Sequence, residues 1–161
     1  MRILIVLTYY RPHTSGLTIC AERLAKAWAR RGHQVTVLTS RYDPSLAAEE
    51  VVDGVRIVRA PVWFRISKGV IMPTFGWIAS RLVNENDVVQ LHLPQFDAAG
   101  VALRGRLLKK PTVITYHCDL IMPPGALAWL ANQAVHVMNR LAALFTHRFV
   151  TYTRDYAEHS P

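Results

Sequence analysis

Short apolar runs alternate with longer amphipathic stretches along most of this chain. Residues 3–7 read ILIVL, a continuous apolar run that is typical of a strand buried on both faces of a parallel sheet. Between Leu17 and Arg31 apolar side chains recur at helical spacing, and Gly32 then suits a helix C-terminus. Residues 34–39 form a second apolar strand, so this part of the sequence predicts a βαβ unit.

The same alternation continues along the chain and predicts the remaining elements. They are a hairpin within residues 50–59 that turns at Asp53-Gly54, a loop at 61–69, helices at 71–83, 96–108 and 125–145, and strands at 87–91, 112–116 and 148–151. Strands that alternate with helices predict an α/β fold, with a doubly wound, mainly parallel sheet and helices on both faces. The length of 161 residues fits one domain.

Three polar segments follow predicted strands and should meet at one edge of the sheet. They are residues 9–16, 92–95 and 117–123. Because ligands of doubly wound sheets bind outside the carboxyl ends of the strands, we expect the functional site at this edge.

The first of these segments ends in Ser15-Gly16, directly before the predicted helix. The free backbone N–H groups and positive dipole end of a helix favour an anion, and Gly16 has no side chain to block its approach. Ser15 is equally suited to capping the helix, with no ligand present. The segment matches neither the GxGxxG nor the Walker A pattern, so the usual dinucleotide and P-loop fingerprints are absent.

Two histidines follow neighbouring predicted strands. His117 comes directly after the strand at 112–116, and His92 holds the same position after the strand at 87–91. A histidine there can hydrogen-bond a sugar hydroxyl or a phosphate, or transfer a proton, but each position is also compatible with an ordinary loop residue. A zinc site with Cys118 and Asp119 is disfavoured, because no HxxxH, CxxC or HExxH spacing is present.

Composition narrows the choice of partners. Apolar residues make up 51% of the chain and charged residues 19%, which excludes general disorder. The net charge of +8 favours an anionic partner, namely nucleic acid, a phosphorylated ligand or an anionic membrane surface. Nucleic acid is disfavoured because no predicted helix carries a dense Lys/Arg face. The basic segment at 104–110 and the aromatic loop at 63–66 are candidates for membrane contact.

Three further features bear on the cellular compartment. Cys20 and Cys118 are too few for a disulfide framework and indicate cytosolic thiols. Met1 leads directly into an apolar strand, without the cleavage site of a signal peptide. The charge-poor stretch that begins at Leu120 contains prolines and amides that are costly in lipid, so we expect no spanning helix. These features predict a cytoplasmic protein. Peripheral binding to the inner face of the membrane is an additional hypothesis.

Four segments together resemble the N-terminal domain of GT-B glycosyltransferases of family 4, the retaining group that uses NDP-sugars. They are RILIVLTYYRPHTSGLTICAERLAKAWARRGHQVTVLTSR, DVVQLHLP, PTVITYHCDL and HRFVTYTRDYAEHSP. The first is the most specific, because its strand, Pro-containing loop, small-residue turn and helix follow in the family's order. The resemblance runs the whole length of the chain and is weakest at residues 61–80.

This resemblance implies a Rossmann-like domain, one half of a GT-B fold in which two such domains face each other across a cleft. Residues 1–161 correspond to the acceptor-side domain, and the C-terminal domain that holds most of the donor is absent from this chain. We therefore expect this chain alone to be inactive. The implied hexosyltransferase reaction moves a sugar from an NDP-sugar to a hydroxyl of a glycan, a lipid-linked acceptor or a small molecule, without metal or other cofactor.

Site residues follow from the resemblance by position. His117 matches the family's active-site histidine beside the donor sugar, where it acts as a hydrogen-bonding and electrostatic stabiliser. Ser15 and Gly16 stand where the family's glycine-rich loop approaches the donor phosphates and the acceptor. Asp119 occupies a position near the reacting sugars.

The resemblance is incomplete at one motif, and a second kind of function stays open. His92 matches the second histidine of the family's H-L-H-L-P pattern, but Gln90 stands in place of the first, so this motif is only half kept. The alternative to an enzyme is a stand-alone module of the same fold, which would bind an anion or a nucleotide without catalysis and without a second domain.

Overall fold

Strands alternate with helices over the residues that the computed structural model describes, which are 1–66, 69–117 and 126–151. The strands are β1 (Arg2–Val6), β2 (Gln34–Arg41), β3 (Glu49–Val52), β4 (Val55–Pro61), β5 (Phe64–Ile66), β6 (Gly69–Ile71), β7 (Val88–Leu93), β8 (Thr112–Tyr116) and β9 (Arg148–Val150). The helices are α1 (Gly16–Arg30), α2 (Phe75–Glu85), α3 (Ala98–Leu107) and α4 (Ala126–Phe145).

The main sheet has seven strands in the order β3-β4-β2-β1-β7-β8-β9. Its neighbours pair in parallel, except that β3 runs antiparallel to β4. From β1 the chain continues to β2 on one side and returns later to β7 on the other side, so the strand order reverses between β1 and β7. The predicted α/β, Rossmann-like, doubly wound and mainly parallel sheet is therefore confirmed.

Helices cover both faces of this sheet. On one face α1 packs Ala21 and Ala25 against a layer that includes Ile5 of β1. On the other face α2, α3 and α4 pack against a layer that includes Leu4 and Val6. Successive side chains of β1 therefore enter opposite core layers, which explains why this strand is apolar at every position from Ile3 to Val6.

The hairpin at the β3 edge turns where the sequence predicts it. Asp53 and Gly54 have φ angles of 51° and 76°, which is the left-handed conformation that an Asp-Gly turn supplies. The loop prediction for residues 61–69 is wrong, because β5 and β6 pair there as a second, antiparallel hairpin. These strands have three residues each, too few to show a periodic pattern in the sequence.

Helix α4 buries only part of the apolar stripe that its helical spacing predicts, which consists of Leu127, Leu130, Ala134, Val137, Met138, Leu141 and Phe145. Val137 and Leu141 were predicted to face the core, but their side chains are 53% and 37% exposed. Met138 and Phe145 of the predicted stripe do pack against the core, and Val135 and Ala142 are buried on the same side of the helix. Because α4 is apolar on more than one side, periodicity alone does not identify its buried face. Among the described residues, no helix combines the length and hydropathy needed to cross a bilayer.

Candidate functional site

The carboxyl ends of β1, β7 and β8 lie side by side at one edge of the sheet, because these three strands are parallel neighbours. The reversal of strand order falls between β1 and β7, which is where doubly wound sheets form a ligand crevice. The segment after β1 and the histidines of β7 and β8 therefore belong to the same edge, as predicted.

Ser15 caps helix α1. Its Oγ accepts a hydrogen bond of 3.2 Å from the Thr18 N–H, and its own N–H donates to the Thr18 hydroxyl oxygen at 2.8 Å. This reciprocal pair is a capping box, with threonine in the place of the usual glutamate. The capping interpretation of Ser15 is therefore confirmed. Any anion binding at this helix end depends on backbone N–H groups, since the hydroxyl already has a partner.

We expect Ser15→Ala to lower the free energy of unfolding by about 1 kcal/mol, because one N–H of the first turn loses its acceptor. Chemical denaturation measures this difference. Thr74→Ala is the matched control: Thr74 is the N-cap of α2, but its side chain makes no capping hydrogen bond, so its loss should change stability little. Equal effects of the two substitutions would contradict the role given to Ser15.

Gly16 leaves the start of α1 open. A methyl group built at this position meets no atom within 4 Å. Within the described part of the chain, neither contacts nor a left-handed backbone conformation demand a glycine here. The open position does allow an external group to approach the helix N-terminus, where N–H groups and the helix dipole favour negative charge.

His92 and His117 contact each other directly. His92 Nδ1 lies 2.7 Å from His117 Nε2, and the two rings stack with centroids 5.0 Å apart. The register of β7 and β8 explains the contact, since His92 pairs with Thr115 and His117 projects from the same face two residues later. The His117 N–H donates to the Leu93 carbonyl and continues the ladder beyond β8. His92 was predicted in a loop but lies within β7, so that boundary is corrected.

Burial keeps both rings neutral near pH 7. The His92 side chain is fully buried, and desolvation, with a smaller effect of His117, lowers its pKa to about 3. Desolvation also lowers the pKa of His117, which is partly exposed. One ring of the pair must donate and the other accept, because both are neutral. His92 Nε2 is buried without a partner in the described chain, whichever ring donates.

A second polar pair lies beside the histidines on the same face of the sheet. Gln90 precedes His92 by one pleat, and its amide donates to the Thr115 hydroxyl across β7 and β8. The residue that replaces the family's first histidine is therefore part of a polar ladder. Gln95 follows in the loop after β7 and is only 6% exposed, yet neither polar atom of its side chain has a partner in the described structure. The sequence places Gln95 within the polar segment 92–95 expected at this edge, but it gave this residue no role of its own.

Aromatic rings from two segments of the chain contact each other at the first loop, which is the loop at residues 9–16 after β1. Tyr9 and His13 stack with centroids 4.8 Å apart, and Tyr42 contacts both edge-on. Tyr42 follows β2, so only the parallel pairing of β1 and β2 brings it to this loop. This cluster offers apolar ring faces at the edge of the sheet where the carboxyl ends of β1, β7 and β8 meet, which we call the ligand edge. The cluster was not predicted.

Arg59 of β4 holds the first loop in place through a hydrogen bond to its backbone. Its side chain is 2% exposed and pairs with Glu50 of β3. It also donates to the Arg11 and Ala47 carbonyl oxygens at 3.2 Å and 3.0 Å. A buried arginine of this kind was missed, because Arg59 reads as a solvated charge in the sequence.

Two residues named in the sequence analysis are not part of the described structure. Asp119 and Cys118 lie outside the described residues, so their predicted places stay predictions. Within the described ranges, no three His, Cys, Asp or Glu side chains are close enough together to hold a metal ion.

Comparisons with known proteins agree with this architecture. A family model described as "Glycosyl transferase 4-like domain" matches residues 15–160. An uncharacterized glycosyltransferase of Methanocaldococcus jannaschii is 26% identical, over 98% of this chain and 41% of its own length. Sucrose-phosphate synthase of Thermosynechococcus elongatus has a similar fold, with a TM-score of 0.51 and 12% identity over 93% of this chain and 47% of its own.

This chain spans less than half the length of either of these proteins. The family match covers nearly all of the chain and includes the Ser15 cap and both histidines. The family match agrees with the resemblance described in the sequence analysis. The structure of sucrose-phosphate synthase supports the same fold. The chain therefore belongs to the glycosyl transferase 4-like domain family, and it is a GT-B glycosyltransferase domain of family 4.

Proposed function

We propose that this domain forms the acceptor side of a retaining glycosyltransferase, which moves a sugar from an NDP-sugar to a hydroxyl acceptor. The observation that carries the proposal is the buried His92–His117 pair at the carboxyl edge of the sheet. Burying two histidine side chains lowers the stability of the fold where their polar atoms lack partners, as His92 Nε2 does in the described structure. Buried groups with a shifted pKa cluster at functional sites. The family membership and the name of the archaeal relative support the same reaction class.

In the proposed reaction, the bond between the anomeric carbon and the leaving diphosphate breaks while the acceptor oxygen bonds to the same face of that carbon. The proton of the acceptor hydroxyl passes to an oxygen of the departing diphosphate. The open start of α1 at Gly16 is suited to stabilise the charge on that leaving group. The step needs no metal, so we propose that the transferase works without one.

Within this reaction His117 acts as a hydrogen-bonding group that touches the sugar. Burial lowers its pKa, so the ring is neutral and a weak base at neutral pH. That property fits a group that orients and stabilises a reacting hydroxyl, while the phosphate takes the proton. His92 is a positioning residue, because it contacts His117 from within the core and fixes that ring.

A stand-alone binding module is the second candidate function. The observation that favours it is the helix N-terminus at Gly16, which lies entirely within this chain and is open to an anion. The transferase proposal instead requires a second domain for most of the donor. The two candidates therefore differ in where nucleotide affinity lies.

Calorimetric titration with UDP, GDP and UDP-glucose separates the two candidates. Under the transferase proposal, the full-length protein binds one of the nucleotides tightly, transfers sugar with retained anomeric configuration in the presence of EDTA, and this chain alone binds weakly. Equal affinity of this chain and the full-length protein, without sugar transfer, would establish the binding module instead.

Gly16→Ala tests the role of the helix start without disturbing the fold. The added methyl group has free space in the domain, so the melting temperature should not fall. In the full-length protein it should obstruct the diphosphate and lower kcat/KM by on the order of tenfold to a hundredfold. Initial rates at varied donor concentration measure this effect. Unchanged kinetics would remove Gly16 from the donor site.

A further inference from the structure

Helices α3 and α4 present apolar side chains to solvent on the side away from the core. We define the α3–α4 outer surface by Leu103, Arg106 and Leu107 of α3, and by Val137, Arg140 and Leu144 of α4. Leu107 and Leu144 are 71% and 67% exposed, which is unusual for leucines on adjacent helices.

These residues form one continuous surface. Leu103, Arg106 and Leu107 are spaced i, i+3 and i+4, and so are on one side of α3. Val137, Arg140 and Leu144 follow the spacing of one side of α4. The Arg106 guanidinium donates to the Leu144 carbonyl at 3.4 Å and so joins the ends of the two helices.

All charged side chains in the described part of the chain from α3 onward are positive. Residues 98–117 and 126–151 contain no Asp or Glu, and their basic residues form none of the ion pairs of the described structure. The carboxylates that are described lie in residues 1–97, where most of them pair with arginine or lysine. These ranges therefore contribute six positive charges and no negative charge, close to the exposed leucines.

We propose that the α3–α4 outer surface docks on an anionic lipid bilayer, independently of the transferase reaction. Helices that combine exposed leucines with arginine and lysine lie in the interface of anionic membranes, with the apolar groups inserted and the cations at the headgroups. Lys109, two residues beyond the end of α3, adds a further exposed cation beside this surface. The ligand edge of the sheet stays free, because α3 begins at that edge and ends at the opposite one.

Sedimentation of the full-length protein with lipid vesicles tests this proposal. We expect binding to phosphatidylcholine vesicles that contain phosphatidylglycerol, weaker binding as salt rises, and little binding to phosphatidylcholine alone. Lys109→Ala/Arg140→Ala should lower the partition coefficient roughly twenty-five-fold, about fivefold for each cation removed. Leu107→Ala/Leu144→Ala should lower it by on the order of tenfold.

Arg30→Ala/Arg31→Ala is the matched control. It removes two exposed cations from the end of α1, on the opposite face of the sheet, and changes the net charge by the same amount. This pair should retain most of the affinity. Equal losses for both charge pairs, binding that ignores lipid charge, or no binding by the full-length protein would overturn the proposal. Dimerisation that is lost in Leu107→Ala/Leu144→Ala, without lipid binding, would assign the surface to a second copy of the chain instead.

Discussion

Replacing His117 with alanine is expected to lower kcat for sugar transfer by the full-length protein by on the order of 10²–10³-fold. The ring is held on one side by His92 at 2.7 Å, and its backbone continues the sheet through the Leu93 carbonyl. These contacts fix the hydrogen-bonding group before the substrate arrives, which makes it effective in the transition state. In the proposed reaction the hydrogen bond from His117 strengthens as the sugar–phosphate bond breaks, so kcat should fall more than the donor KM rises.

His33→Ala is the control for this substitution. His33 lies between α1 and β2, at the opposite end of the sheet from the ligand edge. The His33→Ala protein should therefore transfer sugar at the rate of the unaltered protein. Circular dichroism and melting temperature must show that the His117→Ala protein remains folded. A folded His117→Ala protein with the kcat of the unaltered enzyme would refute the role assigned to this residue.

The sequence carried enough information to place the two histidines at neighbouring strand ends. Each follows an apolar run, and the parallel order of β7 and β8 brings consecutive strand ends together. Their direct contact depends on the register, in which His92 pairs with Thr115. A shift by one residue would have placed the rings on opposite faces of the sheet, and no local pattern specifies that choice.

Other parts of the site could not be predicted, because they depend on contacts between distant segments. Arg59 is forty-eight residues from Arg11 in the chain, yet it donates to the Arg11 carbonyl and holds the first loop. Tyr42 joins Tyr9 and His13 only through the pairing of β1 and β2. A single sequence contains the residue types of such clusters but not their proximity.

The exposed apolar side of α4 illustrates a different limit. Periodicity predicts that an apolar stripe faces the core, and Val137 was assigned to the core on that ground. The structure buries Val135 and Ala142 instead and leaves Val137 at the surface. A helix with two apolar sides satisfies the pattern in more than one orientation. The error is informative, because the second apolar side is the one that forms the α3–α4 outer surface.

Lowering the pH from 7.5 to 5.0 is expected to reduce the free energy of unfolding of this chain by about 2 kcal/mol through His92 alone. In the unfolded chain His92 takes up a proton near its ordinary pKa of about 6.5. In the fold its pKa is about 3, so the buried ring stays neutral at pH 5.0. The unfolded state therefore binds more protons, and stability is lost progressively as the pH falls from about 6.5 toward 3.

Urea denaturation at the two pH values measures this loss, and pH 5.0 keeps the contribution of most carboxylates small. Carboxylates with a lowered pKa, such as Asp87 and Glu49, are ionised in the fold and mostly ionised in the unfolded chain at pH 5.0, so each contributes little. Burial raises the pKa of Asp97, and its effect on stability over this pH range is opposite in sign to that of His92. His92→Leu should remove most of the pH dependence even though it weakens the fold by leaving His117 without this contact. His33→Ala should retain it. A pH dependence that is unchanged in His92→Leu would mean that His92 is protonated in the folded protein, and the neutral histidine pair would then be wrong.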